Sequence, residues 1–116
     1  MINRKKTLEE LILLSDSISN IKKRLSKFSW NSDKELIKIT PTILVGILQY
    51  FIDNNFESDE IEEWANIIEC REDIGFIDNN LQEYIFYLAN PTLYGEISKK
   101  QIELYIVEIK NRYDIQ

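Results

Sequence analysis

Apolar residues recur at the three- and four-residue spacing of an α-helix along almost the whole chain, and the interruptions fall at residues that start or stop helices. The first helix is predicted from Thr7 to about Phe28, with Leu8, Leu11, Ile12, Ile18, Ile21, Leu25 and Phe28 near one stripe. Its other side carries Lys22, Lys23 and Lys27. Ser32 and Glu35 have capping-box spacing, which predicts a short helical turn over Leu36 and Ile37 in preference to a strand over Leu36 to Ile39. Thr40 before Pro41 is a helix start, because the hydroxyl caps a free amide and proline needs none at the first helical position. The second helix then runs from Pro41 to about Asn54, with Ile43, Leu44, Ile47, Leu48 and Phe51 on a broad apolar face. Gly46 inside it costs up to about 1 kcal/mol relative to alanine, which predicts a neighbouring backbone packed closely there.

The third helix is predicted to start at Ser58 and to reach Arg71 or Asp73 before Gly75. Ile61, Trp64, Ala65 and Ile68 form its inward stripe, and Asp59, Glu62, Glu63, Asn66, Glu69 and Asp73 fall opposite as an acidic face. Glu72 turns back toward the stripe, as the partner of a basic side chain or an end cap. A fourth helix takes Asn79 or Asn80 to Ala89 and stops before Pro91, with Tyr84 and Tyr87 off the Leu81/Ile85/Leu88 line and expected to be exposed. Ser98 and Gln101 cap a fifth, in which Ile102, Tyr105, Ile106, Ile109 and Tyr113 keep helical spacing. The pattern predicts an all-α fold, one compact bundle of about five helices spanning residues 1–116 as a single domain.

With 116 residues, 44% of them hydrophobic, the chain is long enough to bury a core and too short for two ordinary domains. Charge changes the picture more than composition does. Residues 1–40 hold nine Lys/Arg against five Asp/Glu, net +4, and residues 41–116 hold five against fifteen, net −10. The window from Glu57 to Asp73 has eight acids against Arg71 alone, net −7, which exceeds the −6 of the whole chain. Such a surface repels nucleic acid, which needs cations to replace its counterions, and attracts a basic protein. The same acids also serve as a solvated face that favours the helix dipole.

With no histidine and one cysteine, Cys70, the chain is denied Ser/His and Cys/His catalysis, an internal disulfide and the common zinc sites. Near the amino terminus Glu9, Glu10 and Asp16 interrupt the apolar stretch too soon for a signal peptide or membrane span, so a cytosolic protein with no membrane association is expected. Glu60/Glu63 and Glu69/Glu72 have the ExxE spacing that lets carboxylates hold magnesium on a phosphate. In helical nucleotide pyrophosphohydrolases such pairs come from facing helices, whereas these four fall on one. Arg4, Lys5, Lys6, Lys22, Lys23, Arg24 and Lys27 near Trp30 raise nucleic-acid binding as an alternative, without a helix-turn-helix or aromatic RNA motif to accompany them. An adaptor that binds a protein through an apolar groove is a third alternative. No catalytic, cofactor-binding or metal residue is assigned.

The stretch EWANIIECREDIGF from Glu63 to Phe76, followed by LQEYIFYLANPTLYGEIS from Leu81 to Ser98, resembles immunity proteins of bacterial contact-dependent growth inhibition and polymorphic toxin systems. The similar pattern is a Trp-Ala-Asn helix leading to Glu-x-Arg-Glu-Asp-Ile, then a helix ending in Leu-Ala-Asn-Pro and a short loop before the last helix. The resemblance implies a non-catalytic inhibitor that neutralises a cognate toxin carboxy-terminal domain in the cytosol. Acidity adds that the toxin is a basic nuclease, such as one acting on transfer RNA, with its active or substrate-binding surface covered. Candidate contact residues are Asp59, Glu62, Glu63, Asn66, Glu69, Asp73, Tyr84 and Tyr87. Lys22, Lys23 and Lys27 are the internal alternative, since they could pair with the same acids.

Overall fold

Local capping chemistry and the apolar stripes set most helix positions. A computed structural model describes residues 3–53 and 57–115. Among them, in chain order, are α1 (Arg4–Leu13), α2 (Ile18–Leu25), β1 (Ile37–Ile39), α3 (Pro41–Ile52), α4 (Ser58–Cys70), β2 (Ile74–Phe76), α5 (Asn79–Ala89), α6 (Pro91–Tyr94) and α7 (Lys99–Tyr113). Thr40 Oγ1 accepts from the Ile43 amide at 3.1 Å and Ser98 Oγ from the Gln101 amide at 3.2 Å, so α3 and α7 start at their predicted caps. At α4 the cap is Glu57 and Ser58 is the first helical residue; the Glu57 amide donates to Glu60 Oε1 at 2.9 Å. Asn54, the predicted end of the second helix, lies outside the described residues, and α3 closes at Ile52.

The fold is mainly helical, as the periodicity predicts, but it departs from a five-helix bundle in three places. The helix predicted from Thr7 to Phe28 is two helices, and it begins earlier, at Arg4 under an Asn3 cap. Leu14 takes a left-handed conformation with φ 47°, and Ser17 caps α2 by accepting from the Asn20 amide. Asp16 Oδ1 accepts from the Ser17 amide and Ser17 Oγ from that of Asn20, and this local capture of backbone groups outweighs the apolar spacing that runs across the segment. The second departure is β1, where a helical turn is predicted. Ile37, Lys38 and Ile39 pair in parallel with Ile74, Gly75 and Phe76 of β2. Third, Pro91–Tyr94 adds one turn of helix, α6.

The core is built from α4 on α5, α3 on α7, and α1 against α2, α3 and β1. Leu8, Leu11, Leu44, Leu48, Ile61, Trp64, Leu81, Leu88 and Ile109 are completely buried within it. The radius of gyration, 13.7 Å, is close to the roughly 13 Å usual for a compact chain of about this length.

Gly46 is not where a neighbouring backbone packs closely: a Cβ built there meets no heavy atom within 4 Å. Gly46→Ala is therefore expected to stabilise the protein by about 0.5–1 kcal/mol through helix propensity and a less flexible unfolded chain. The urea midpoint measures it, and a lower midpoint for the variant would show that the position needs glycine.

Candidate functional site

The acidic face of α4 forms one wall of an open groove of about 780 Å³. Asp59, Glu62, Glu63 and Asn66 line that wall, with Ile67 and Cys70 along the same helix. The remaining lining residues are Lys22 of α2, Trp30 from the loop after α2, and Arg71 just past the end of α4. Helical periodicity brings the α4 residues together, because positions three, four and seven apart share a face once Ile61, Trp64, Ala65 and Ile68 are turned inward and buried.

The loop that carries Trp30 rests on a buried ion cluster. Asp73 is wholly inaccessible to solvent. Its Oδ2 accepts from Arg4 Nε and Arg71 Nη2, each at 2.9 Å, and its Oδ1 accepts from Arg71 Nε at 2.9 Å. The two guanidinium groups also donate to the Ser29 carbonyl, and Arg4 reaches that of Asn31. The Trp30 carbonyl accepts from the Glu72 amide at 2.9 Å, and Glu72 Oε1 accepts from the Ser32 amide at 3.3 Å. Burial raises the Asp73 carboxyl pKa, but hydrogen bonds from Arg71 and Arg4 and their positive charges outweigh it, leaving the group below its ordinary value of 3.8.

Two predicted contact residues are corrected by this geometry. Asp73 does not extend the acidic face, since α4 ends at Cys70, Arg71 turns into extended backbone, and Asp73 is swung beneath the loop. Tyr84 is buried, not exposed, and its hydroxyl donates to Glu108 Oε1 at 3.0 Å. Burial and the Glu108 carboxylate push the Tyr84 pKa up to about 12. Tyr87 is half-buried in the same aromatic cluster, its ring 6.0 Å from those of both Tyr84 and Tyr105. Helical spacing puts both tyrosines beside the inward line of α5, and the arrival of α7 covers them. Glu69 is exposed on α4 but lies outside the groove, and the Glu72 carboxylate accepts from one backbone amide, that of Ser32, instead of pairing with a basic side chain.

The internal alternative for the acidic face is realised in one contact. Lys22 Nζ lies 3.5 Å from Glu63 Oε1, with both side chains about half exposed. Among the described residues, Lys23, Lys27, Asp59, Glu62 and Glu69 form no ion pair, and no group of three or more acidic or cysteine side chains converges as a metal site. No helix among them is long and apolar enough to cross a membrane. The feature that helical periodicity misses is Trp30, 57% exposed at the groove edge. Its aromatic character beside a basic run is the signal the sequence offers, and its place in the lining of the α4 groove is not. No protein-family model, curated protein or solved structure matches the chain.

Proposed function

We propose that this protein is an immunity protein, a non-catalytic binder that captures a basic toxin domain of nuclease type and covers its active or substrate-binding surface. One observation carries the proposal: Asp59 and Glu62 line an open groove with no ion pair among the described residues to compensate them, and the lining of the same groove includes the exposed Trp30. Carboxylates left uncompensated on one helix face repel each other mildly and favour a cationic partner. An exposed aromatic elsewhere in the groove lining supplies the desolvated contact that slows dissociation. The resemblance over residues 63–98 supports the same class of function.

The expected neighbour of the gene is a large secreted protein with a variable carboxy-terminal domain. Co-expressing this chain with that domain should restore growth of cells the domain kills. Replacing Asp59 and Glu62 together by lysine should slow association with the domain about tenfold at low salt, and the difference should shrink as salt is added. A folded double variant that associates at the wild-type rate at every salt concentration would remove the acidic groove as the binding site. A metabolic operon without growth rescue, or magnesium-dependent nucleotide hydrolysis lost on Glu63→Gln, would overturn the immunity proposal itself.

A further inference from the structure

The last helix has two apolar faces, and the fold covers one of them. Ile102, Tyr105, Ile106 and Ile109 of α7 are buried against the core. Lys100, Leu104, Val107 and Asn111 form an outward stripe, all four exposed, with Leu104 at 54% and Val107 at 53% in its centre. Their steps of four, three and four residues are those of helices that pack lengthwise on one another. An open groove of about 560 Å³ runs along the stripe, lined by Lys100, Leu104 and Val107 together with Ser98, Gln101 and Glu103. At 100° per residue, Glu103 and Lys110 flank the stripe on one side, and Gln101 and Glu108 on the other. Glu103 and Lys110 form no ion pair among the described residues, and their separation of seven positions exceeds the three or four at which side chains on one helix meet.

We propose that this stripe joins two copies of the chain, their α7 helices packed antiparallel about a twofold axis. Charge decides both the occupant and its direction. Run antiparallel, Leu104 of one copy meets Val107 of the other, and Lys100 meets Asn111 at either end. The flank then sets Glu103 against Lys110 of the second copy, and the twofold axis repeats the contact. Two residues without ion pairs in the monomer thus complete each other's charge, while on the other flank the Gln101 amide faces the Glu108 carboxylate. Run parallel, the same stripe sets Lys100 against Lys100 and Glu103 against Glu108, so like charges meet throughout. One helix of 15 residues supplies less than the roughly 800 Å² per partner of a stable interface, so the dimer is weak and concentration-dependent. The stripe shares no lining residue with the acidic groove, and the dimer stands apart from toxin capture.

Sedimentation of the full chain tests this, with reductant present so that the exposed Cys70 cannot link copies. The mass should rise from 13.8 kDa toward twice that value across about a hundredfold increase in concentration, to about 0.5 mM. Leu104→Glu should abolish the rise, and Glu103→Lys or Lys110→Glu should weaken association about tenfold. The double variant Glu103→Lys/Lys110→Glu exchanges the two charges and should return to within about threefold of the wild type. Because Glu103 and Leu104 are exposed and Lys110 is half-buried, each variant should keep its helicity by circular dichroism. A mass of 13.8 kDa at every concentration, a dimer indifferent to Leu104→Glu, or a double variant no tighter than the single ones would overturn the proposal. Tighter association of Glu103→Lys would reveal the parallel arrangement and overturn it equally. A monomer that needs Leu104 to bind the toxin domain would give the stripe to that partner and remove the dimer.

Discussion

Trp64→Ala is expected to destabilise the protein by about 3–5 kcal/mol, a large part of the roughly 5–15 kcal/mol that holds a domain of this size folded. The indole is completely buried at the centre of the α4 stripe, so its removal leaves a cavity that the surrounding helices cannot fill. A second loss is specific to this fold. Trp64 Nε1 donates to the Leu11 carbonyl at 2.8 Å, in the last turn of α1, where Leu14 turns left-handed and ends the helix. The indole thus helps satisfy the end of α1 from 53 residues away. Trp64→Phe keeps most of the apolar volume and gives up the hydrogen bond, for an expected loss of about 1–2 kcal/mol. The Leu11 carbonyl still accepts from the Leu14 amide, which limits the damage. Thermal unfolding should show a drop of roughly 15 °C or more for the alanine variant and a few degrees for phenylalanine. Equal drops in the two variants would mean that packing volume at this position has been overvalued.

Asp73→Asn should be nearly as damaging, at about 3 kcal/mol, because it leaves two guanidinium groups without the anion that holds them beneath the loop. The Arg71 side chain is almost wholly covered, whereas that of Arg4 is about a quarter exposed and recovers part of its hydration. A pH series separates charge from shape. The folded carboxyl has a pKa below the ordinary 3.8, so the unfolded chain takes up its proton first as pH falls. The stabilisation is complete above about pH 5 and declines as pH falls through 3.8 toward the folded value. The wild type should therefore exceed Asp73→Asn by a constant margin near neutral pH, and the margin should close in acid. A gap independent of pH down to about 2 would show that Asp73 acts by shape and hydrogen bonding alone. Binding distinguishes its role as well: below its unfolding transition, Asp73→Asn should retain the acidic contacts of α4 and lose binding only as far as the Trp30 loop loosens.

Much of the candidate site is legible in the sequence, for a local reason. Ile61, Trp64, Ala65 and Ile68 define the buried side of α4, and their spacing alone puts Asp59, Glu62, Glu63 and Asn66 together on the other side. Asp73 fits the same wheel only if the helix continues. Extended backbone at Arg71, held by the pairing of Ile74 with Ile37 and by the carboxylate's own arginines, stops it short. Trp30 is visible as a residue but not as part of the site, since nothing near it in the chain places it against α4.

The sequence by itself determined the positions of α3, α4, α5 and α7 and the main inward stripe of each, because caps such as Thr40 and Ser98 and the apolar spacing act over one or two turns. Tertiary structure decided the rest. The break at Leu14 is closed by an indole from α4, and a three-residue strand gains its hydrogen bonds only when a partner 37 positions away lies alongside it. Burial of Asp73 and Tyr84 likewise required Arg4, Arg71 and Glu108 to arrive from other elements. Local pattern specifies which backbone conformation a segment favours, whereas the burial of a polar group depends on whether distant groups can replace its water.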